Sequence, residues 1–329
     1  MAATDSAALP EGGASIAGRT FKGFGTTVGA WTTEPALLDS VEIFMKAWVE
    51  RVEAACSRFD PLSDLSRVNA GAGTAVRVGP ELVSAVGAAL AMADVTGGLY
   101  DPTVGGAVIS AGYDRSFDQV TAMGPGPEGP AMPGGAWPDV ELDVDAGTLM
   151  VPGGFQLDLG GSAKGWAVDM ALRGITDAFA VTNPGAGYCV SAGGDLGVSG
   201  AIPGDGWPVS ITERLDGSAS DLTVEVRLRR GAMATSGATA RRWTRAIGSG
   251  HHIIDPRTGL PGTSPWRLVT VFSDSCIVSD TAATAAWLLG PEAVDWLNTM
   301  GLGARLVDQA GISTWVGETQ SWLAGGRQT

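Results

Sequence analysis

Leu37, Leu38, Val41, Phe44, Met45, Trp48, Val49 and Val52 recur at three- and four-residue spacing, a period that only an amphipathic α-helix gathers into one apolar face. That face must be buried, and other segments supply the sheet to bury it. VELDVDAGTLMV alternates apolar and polar residues about an Asp145-Ala146-Gly147 turn, as a hairpin does. In LTVEVRLRR, Val224, Val226 and Leu228 alternate with Glu225, Arg227 and Arg229, the pattern of a half-buried strand. Further short strands are expected at FKGFGTTVGAW, YCVSA and RLVTVF. A second helix should start at Gly79-Pro80, turn Leu82, Val83, Val86 and Leu90 inward and close at Thr96-Gly97-Gly98. SDTAATAAWLLG and PEAVDWLNTM begin two more. Strands and helices in mixed order, with no fixed-period repeat, predict an α+β fold of mixed sheets with packed helices. GPGPEGPAMPGGAWP, near 124–138, reads as a surface loop or insertion. Residues 1–20 read as a flexible tail and 21–329 as a single domain.

Composition narrows the function classes. A hydrophobic fraction of 44% with 17% charged residues describes a well-buried chain, and a net charge of -14 without any basic run opposes binding to nucleic acid or anionic membranes. An anionic ligand therefore needs local compensation from a metal ion or a few placed cations. Cys56, Cys189 and Cys276 are odd in number and lack C-x-x-C spacing, so neither a disulfide framework nor a structural zinc site is indicated. No apolar run approaches bilayer length, and no membrane anchor is expected. A soluble protein in the reducing cytoplasm is the expectation.

His251 and His252 are the only histidines, so any histidine general base near neutral pH comes from this pair, and a zinc site built of several histidines is excluded. Four other segments carry polar groups. In Asp158-Leu159-Gly160-Gly161-Ser162-Ala163-Lys164 an apolar strand meets paired glycines, where a ligand approaches backbone and Lys164 meets a phosphate. Taken alone, the segment is equally a tight turn with a surface lysine. Asp280 and Thr284, at i and i+4 on one helix face, offer a carboxylate and a hydroxyl to a hard cation such as Mg²⁺. Alone, a helix cap at Ser279 or Asp280 is the simpler reading. Ala234-Thr235-Ser236-Gly237 and the turn at Asp255-Pro256, with Arg257 available for phosphate, are by themselves connecting loops. Ser191-Ala192-Gly193-Gly194-Asp195 is either a plain turn or a second close backbone approach.

Taken in order, DLGGSAKGWAVD, SAGGDLG, ATSG, HIIDPRTGLP and VSDTAATA, with FDPLSDLSRVN and GGLYDPTVG upstream, resemble the ApbE family, the FAD:protein FMN transferases. The resemblance covers roughly residues 21 to 318 and implies an ApbE-like, T-fold-like architecture. It implies an enzyme that binds FAD with Mg²⁺, moves the FMN half onto a threonine or serine hydroxyl of an acceptor protein and releases AMP. Carried onto this chain, it assigns Phe59 to stacking on adenine. Leu99, Tyr100, Asp101, Asp158, Lys164 and Ile254 become cofactor contacts. Gly161 binds metal through its carbonyl, Asp280 and Thr284 through their side chains, and His252 activates the acceptor hydroxyl. Phe24 stands where the family usually has a methionine, so flavin contacts there differ. Ala238-Thr239-Ala240 replaces a polar residue plus tyrosine on the acceptor or flavin side. Many relatives are exported lipoproteins, whereas this N-terminal segment has neither signal nor lipid-bearing cysteine, which favours a cytoplasmic acceptor. Two alternatives are an Mg²⁺-dependent FAD pyrophosphatase yielding FMN and AMP, and a protein that holds FAD without cleaving it.

Overall fold

The first apolar period becomes the helix Leu38–Cys56, which buries Val41, Met45, Val49, Val52 and Ala55. The computed structural model describes residues 16–212, 223–239, 241–244 and 249–324. The surface that receives this helix is an eight-stranded sheet. Its order is Ala17–Gly23, Thr26–Thr32, Gly187–Ala192, Asp195–Gly200, Ala232–Ser236, Trp266–Ser273, Gly303–Asp308 and Ser313–Val316. Every neighbouring pair is antiparallel.

Alternation along these strands sorts side chains between two layers. Val28, Ala30, Tyr188, Val190 and Ala232 meet the Leu38–Cys56 and Ala163–Phe179 helices. Val269, Val271, Ala304 and Leu306 meet the Cys276–Leu289 and Ala293–Thr299 helices. Their strand neighbours Trp31, Cys189, Met233 and Phe272 point the other way, onto Trp207, Val209, Val226 and Leu228. Those last residues belong to a small sheet of Trp207–Ile211, Val224–Leu228 and Leu323–Ala324. Helices, large sheet and small sheet thus form layers around shared apolar faces, an α+β fold.

The Pro80–Val95 helix buries Leu82, Val83 and Val86, with Leu90 half-buried, and ends at Thr96 before Gly97 and Gly98. The Asp145-Ala146-Gly147 turn joins Glu141–Asp143 to Thr148–Met150.

Several local expectations are corrected. Residues 1–15 lie outside the described residues, and Ala17–Thr20 are strand rather than tail. FKGFGTTVGAW is a hairpin rather than one strand, turning at Phe24 (φ 56) and Gly25 (φ 63). Two left-handed residues in succession match the type I′ turn that strand twist favours, and Phe24 adopts the conformation against its Cβ. The 124–138 stretch is not merely a surface loop. Ala136 is buried, Met132 packs against the Ala107, Val108 and Tyr113 cluster, and Gly134 N–H donates to the Pro256 carbonyl at 2.8 Å. Its irregular path follows from glycine and proline, while its few apolar side chains still find a core.

One close approach sets up the site. Gly165, in the first turn of Ala163–Phe179, lies against the Cys276–Leu289 helix so tightly that a Cβ would sit 2.7 Å from the Cys276 carbonyl oxygen and 2.8 Å from the Ile277 Cα. Both obstacles are backbone and neither can swing aside. Gly165→Ala should therefore separate these helices and cost about 2–3 kcal/mol, read as a lower midpoint in urea unfolding.

Candidate active site

A cleft of about 700 Å³ opens where the two helix starts, the glycine turn before Ala163 and the His252–Pro256 turn converge. The volume suits a sizeable organic ligand. Phe24, Phe59, Leu99, Tyr100, Asp101, Asp158, Gly161, Lys164, His252, Ile254, Asp280 and Thr284 all line it.

Local chemistry explains this convergence. Leu157 and Leu159 are buried, so the strand-like run carries Asp158 to the cleft wall between them. Asp158 Oδ1 accepts from Gly160 N–H at 2.6 Å, and the Leu159 carbonyl accepts from Ser162 and Ala163 N–H at 3.1 and 2.7 Å. The turn feeds straight into the Ala163–Phe179 helix, leaving Lys164 in its first turn. Gly193 (φ 64) and Gly194 (φ 115) make the SAGGD segment a two-residue hairpin turn, and Asp195 starts its second strand. Asp280 and Thr284 are not at a cap, because the helix begins at Cys276. Asp169 holds that beginning, accepting from Ser275 Oγ at 2.7 Å, Cys276 N–H at 2.7 Å and Ile277 N–H at 3.0 Å.

Charge is concentrated at this corner. Lys164 Nζ pairs with Asp195 and lies 3.6 Å from Asp280 Oδ2. Burial opposes the lysine's charge, but the two carboxylates outweigh it and hold its pKa above the ordinary value. Asp280 is pushed up to about 7, first by burial and then by Asp195, with Lys164 acting in the opposite sense. When Asp280 ionises, two carboxylates face one ammonium, so added positive charge at this corner favours its carboxylate form.

The donor set suits a hard cation. Asp280 Oδ2 is buried without a hydrogen-bond partner. Thr284 Oγ1 lies 2.9 Å from Ser236 Oγ, and a Cβ built on Gly161 would lie 4.0 Å from that same Thr284 oxygen. Carboxylate, hydroxyl and backbone oxygens of this kind fit Mg²⁺, which keeps several water or ligand oxygens of its own. Among the described residues no group of three His, Cys, Asp or Glu forms, so a zinc-type centre is not offered.

The two histidines divide. His251 is buried, lies 3.0 Å from the Gly262 carbonyl through Nε2 and meets Trp287 edge-on, which makes it part of the core. His252 lines the cleft with Nδ1 unpartnered. Its pKa is pushed down to about 3 by burial, then by the positive charge of Arg241 and by His251 and Lys164. A neutral imidazole facing a ligand cleft is able to accept a proton.

At the other end Arg58, 9% exposed, pairs with Asp158 at 2.6 Å. Its guanidinium lies 4.1 Å from the Phe59 ring centre and 4.5 Å from that of Tyr113. Phe59 keeps 41% of its surface exposed, leaving a face for a planar ligand. Asp101 lines the cleft, but its carboxylate is occupied: it accepts from Thr103 N–H at 2.7 Å, from Thr103 Oγ1 at 2.6 Å and from Gly135 N–H. Tyr100 donates to Ser162 Oγ at 2.6 Å. Phe24 N–H donates to Glu53 Oε1 at 2.7 Å, which secures the left-handed turn. Arg257, expected to be available for phosphate, instead pairs with Asp255 at 2.8 Å outside the cleft lining. The turn geometry explains this, since Asp255 also accepts the Arg257 N–H at 3.0 Å.

Arg58, Tyr113 and Arg241 line the cleft and were not singled out by sequence reasoning; Asp195 was singled out only as part of a turn. Arg58 Nη2, Thr239 Oγ1, His252 Nδ1 and Asp280 Oδ2 are all buried without partners and all come from lining residues. Unsatisfied polar atoms gathered in one cleft are what a site awaiting a polar ligand presents. Ala240, within the segment that departs from the family pattern, lies outside the described residues.

Comparison with known proteins points the same way. The sequence model of the ApbE family matches residues 24–306. The chain is 29% identical to the FAD:protein FMN transferase of Chlamydia trachomatis serovar D over 269 residues, covering 79% of this chain and 80% of that protein. It is 30% identical to the FAD:protein FMN transferase of Treponema pallidum over 267 residues, covering 76% and 71% respectively. In fold it resembles the crystal structure of the ApbE protein from Thermotoga maritima, with a TM-score of 0.79 at 24% identity, over 94% of this chain and 100% of that one.

Proposed function

The chain belongs to the ApbE family and is a flavin-transferring enzyme, and we propose that, with Mg²⁺, it moves the FMN moiety of FAD onto a threonine or serine hydroxyl of an acceptor protein and releases AMP. The observation that carries this reading is the buried Asp280 oxygen, ion-paired with Lys164 but without a hydrogen-bond partner, in one cleft with a neutral His252. Asp280, Thr284 and the Gly161 carbonyl would hold Mg²⁺, which when bound supplies Lewis-acid neutralisation of the diphosphate.

The chain's own residues supply the rest. Lys164 contributes a fixed positive charge where the diphosphate would lie, kept charged by its carboxylate neighbours. Phe59, braced by Arg58, offers an exposed ring for the adenine. Leu99, Tyr100 and Ile254 give apolar walls that exclude water, and Phe24 does so from the opposite hairpin. His252 takes the acceptor hydroxyl's proton as that oxygen bonds to the FMN phosphorus, and the bridging oxygen leaves with AMP. All three cysteines are free, and burial pushes the Cys56 thiol up to about 12 and raises those of Cys189 and Cys276, which leaves them as unreactive packing groups rather than nucleophiles. Among the described residues no helix is long and apolar enough to cross a membrane.

The test is incubation with FAD, Mg²⁺ and candidate acceptor proteins, followed by peptide mass spectrometry. The expected result is FMN esterified to threonine or serine, with AMP released in equal amount. AMP and free FMN produced at the same rate without any acceptor would replace transfer by hydrolysis, and intact FAD throughout would leave only a binding protein.

A further inference from the structure

We infer that Arg241 is a further catalytic residue, whose guanidinium grips the dinucleotide's diphosphate and takes up the negative charge that builds on the departing phosphate. The inference rests on the flavin-transfer reading above.

Three cations line the cleft with side chains among the described residues: Arg58, Lys164 and Arg241. Arg58 is matched by Asp158, and Lys164 by Asp195 and Asp280. No carboxylate pairs with Arg241 among the described residues. Its positive charge is therefore the one that a bound anion does not have to share. The half-buried side chain acts electrostatically on Tyr113, Lys164 and His252, which belong to three other segments of the wall. Because Arg241 also lines the cleft, its charge is available to a ligand bound there.

The backbone that carries it is anchored. Arg242–Thr244 pairs with Ser249–His251 in a register that sets Arg242 opposite His251, so Arg241 and His252 follow each other across the end of the same ladder. The Arg241 backbone also hydrogen-bonds with His252. Trp243, two residues on, is buried, donates to the Ala111 carbonyl at 2.8 Å and packs 5.3 Å from the Tyr113 ring. His252 and the backbone that carries Arg241 are thus anchored beside each other at one wall of the cleft.

Their tasks are complementary. As the acceptor oxygen bonds to the FMN phosphorus, its proton passes to His252, the bond from that phosphorus to the bridging oxygen breaks, and the electron pair leaves with AMP. The phosphate of AMP gains negative charge in that step, and a guanidinium fork binds two phosphate oxygens at once. A donor preorganised for developing charge contributes to rate more than to ground-state binding.

The test compares wild type with Arg241→Gln and Arg241→Lys. Arg241→Gln should lower kcat/KM for FAD by about 10²–10³-fold, mostly in kcat, and Arg241→Lys should fall between it and wild type. In flavin-fluorescence titrations Arg241→Gln should bind FAD more weakly while binding riboflavin, which has no phosphate, as wild type does. Wild-type turnover in both variants would overturn the inference, as would equal loss of FAD and riboflavin binding. If Arg241→Gln does not fold, Arg241→Lys carries the test, and a wild-type kcat/KM for it would refute the fork. If wild type itself forms no FMN adduct, the proposed function fails, yet the FAD-against-riboflavin comparison still decides whether Arg241 grips phosphate.

Discussion

Asp280→Ala should lower Mg²⁺-dependent kcat/KM by about 10³-fold, because the loss of several kcal/mol of charge stabilisation at the phosphorus corresponds to three decades in rate. Its carboxylate has the only carboxylate oxygen without a hydrogen-bond partner among the buried side-chain atoms of the described residues, so it is the group with most to offer a cation. Saturating Mg²⁺ would not restore the rate if Thr284 and a backbone carbonyl cannot hold the ion alone, and a magnesium titration of the variant checks this. The same residue should limit stability when metal is absent. Burial and Asp195 raise Asp280 from 3.8 to about 7, so the folded state prefers it protonated, and the stability this gives is lost as pH rises through that value. Asp280→Asn cannot ionise. In chelator at pH 8 it should melt above wild type, the gap closing as pH falls toward 4, and added Mg²⁺ should stabilise wild type far more than the variant. A variant that melts lower at pH 8 in chelator would show that Asp280 is not strained by its neighbours.

How much of this was legible in the sequence depends on what kind of contact is involved. Asp280 and Thr284 were readable because one helical turn sets them on one face, whatever they pack against. The DLGG turn was readable because paired glycines before a helical period leave few backbone options. Their meeting was not, since it depends on Gly165 admitting the Cys276–Leu289 helix to backbone contact, and only the fold reveals which glycine is crowded. Asp195 reads from sequence as part of either a plain turn or a close backbone approach; its role as the partner of Lys164 comes from a strand register that places a hairpin start over a helix start. Arg58 and Arg241 have no local signature at all, because a lone arginine reads as surface until its rings or neighbours are known. Arg257 failed in the opposite direction: a basic residue in a motif appeared free for phosphate, but the Asp255 two positions earlier is near enough to claim it. The α+β class was readable from the periods alone, whereas the three layers needed the pairing of strands far apart in the chain.

His252→Gln should lower kcat by about 10²–10⁴-fold and leave FAD binding near that of wild type, since a general base acts on the acceptor's proton rather than on the dinucleotide. Loss of FAD binding without a separate loss of kcat would instead make His252 a structural residue. The pH profile sharpens the test. His252 is depressed from 6.5 to about 3, chiefly by burial and then by Arg241, so it is neutral throughout the physiological range. The acid limb of kcat/KM that belongs to this base should therefore lie well below 6.5. For stability the sign is that of a buried neutral histidine: its contribution is full above 6.5 and is lost as pH falls toward 3, because the unfolded chain takes up the proton first. His252→Gln should accordingly lose less stability than wild type on acidification from pH 6.5, as followed by thermal melts. Metal and base separate in one further comparison. Raising Mg²⁺ should recover part of the activity of Thr284→Ala, whose defect is a missing oxygen ligand, and none of that of His252→Gln, whose cation site is intact. Recovery of both by magnesium would mean that the histidine serves the metal, and the division of labour across the cleft would have to be redrawn.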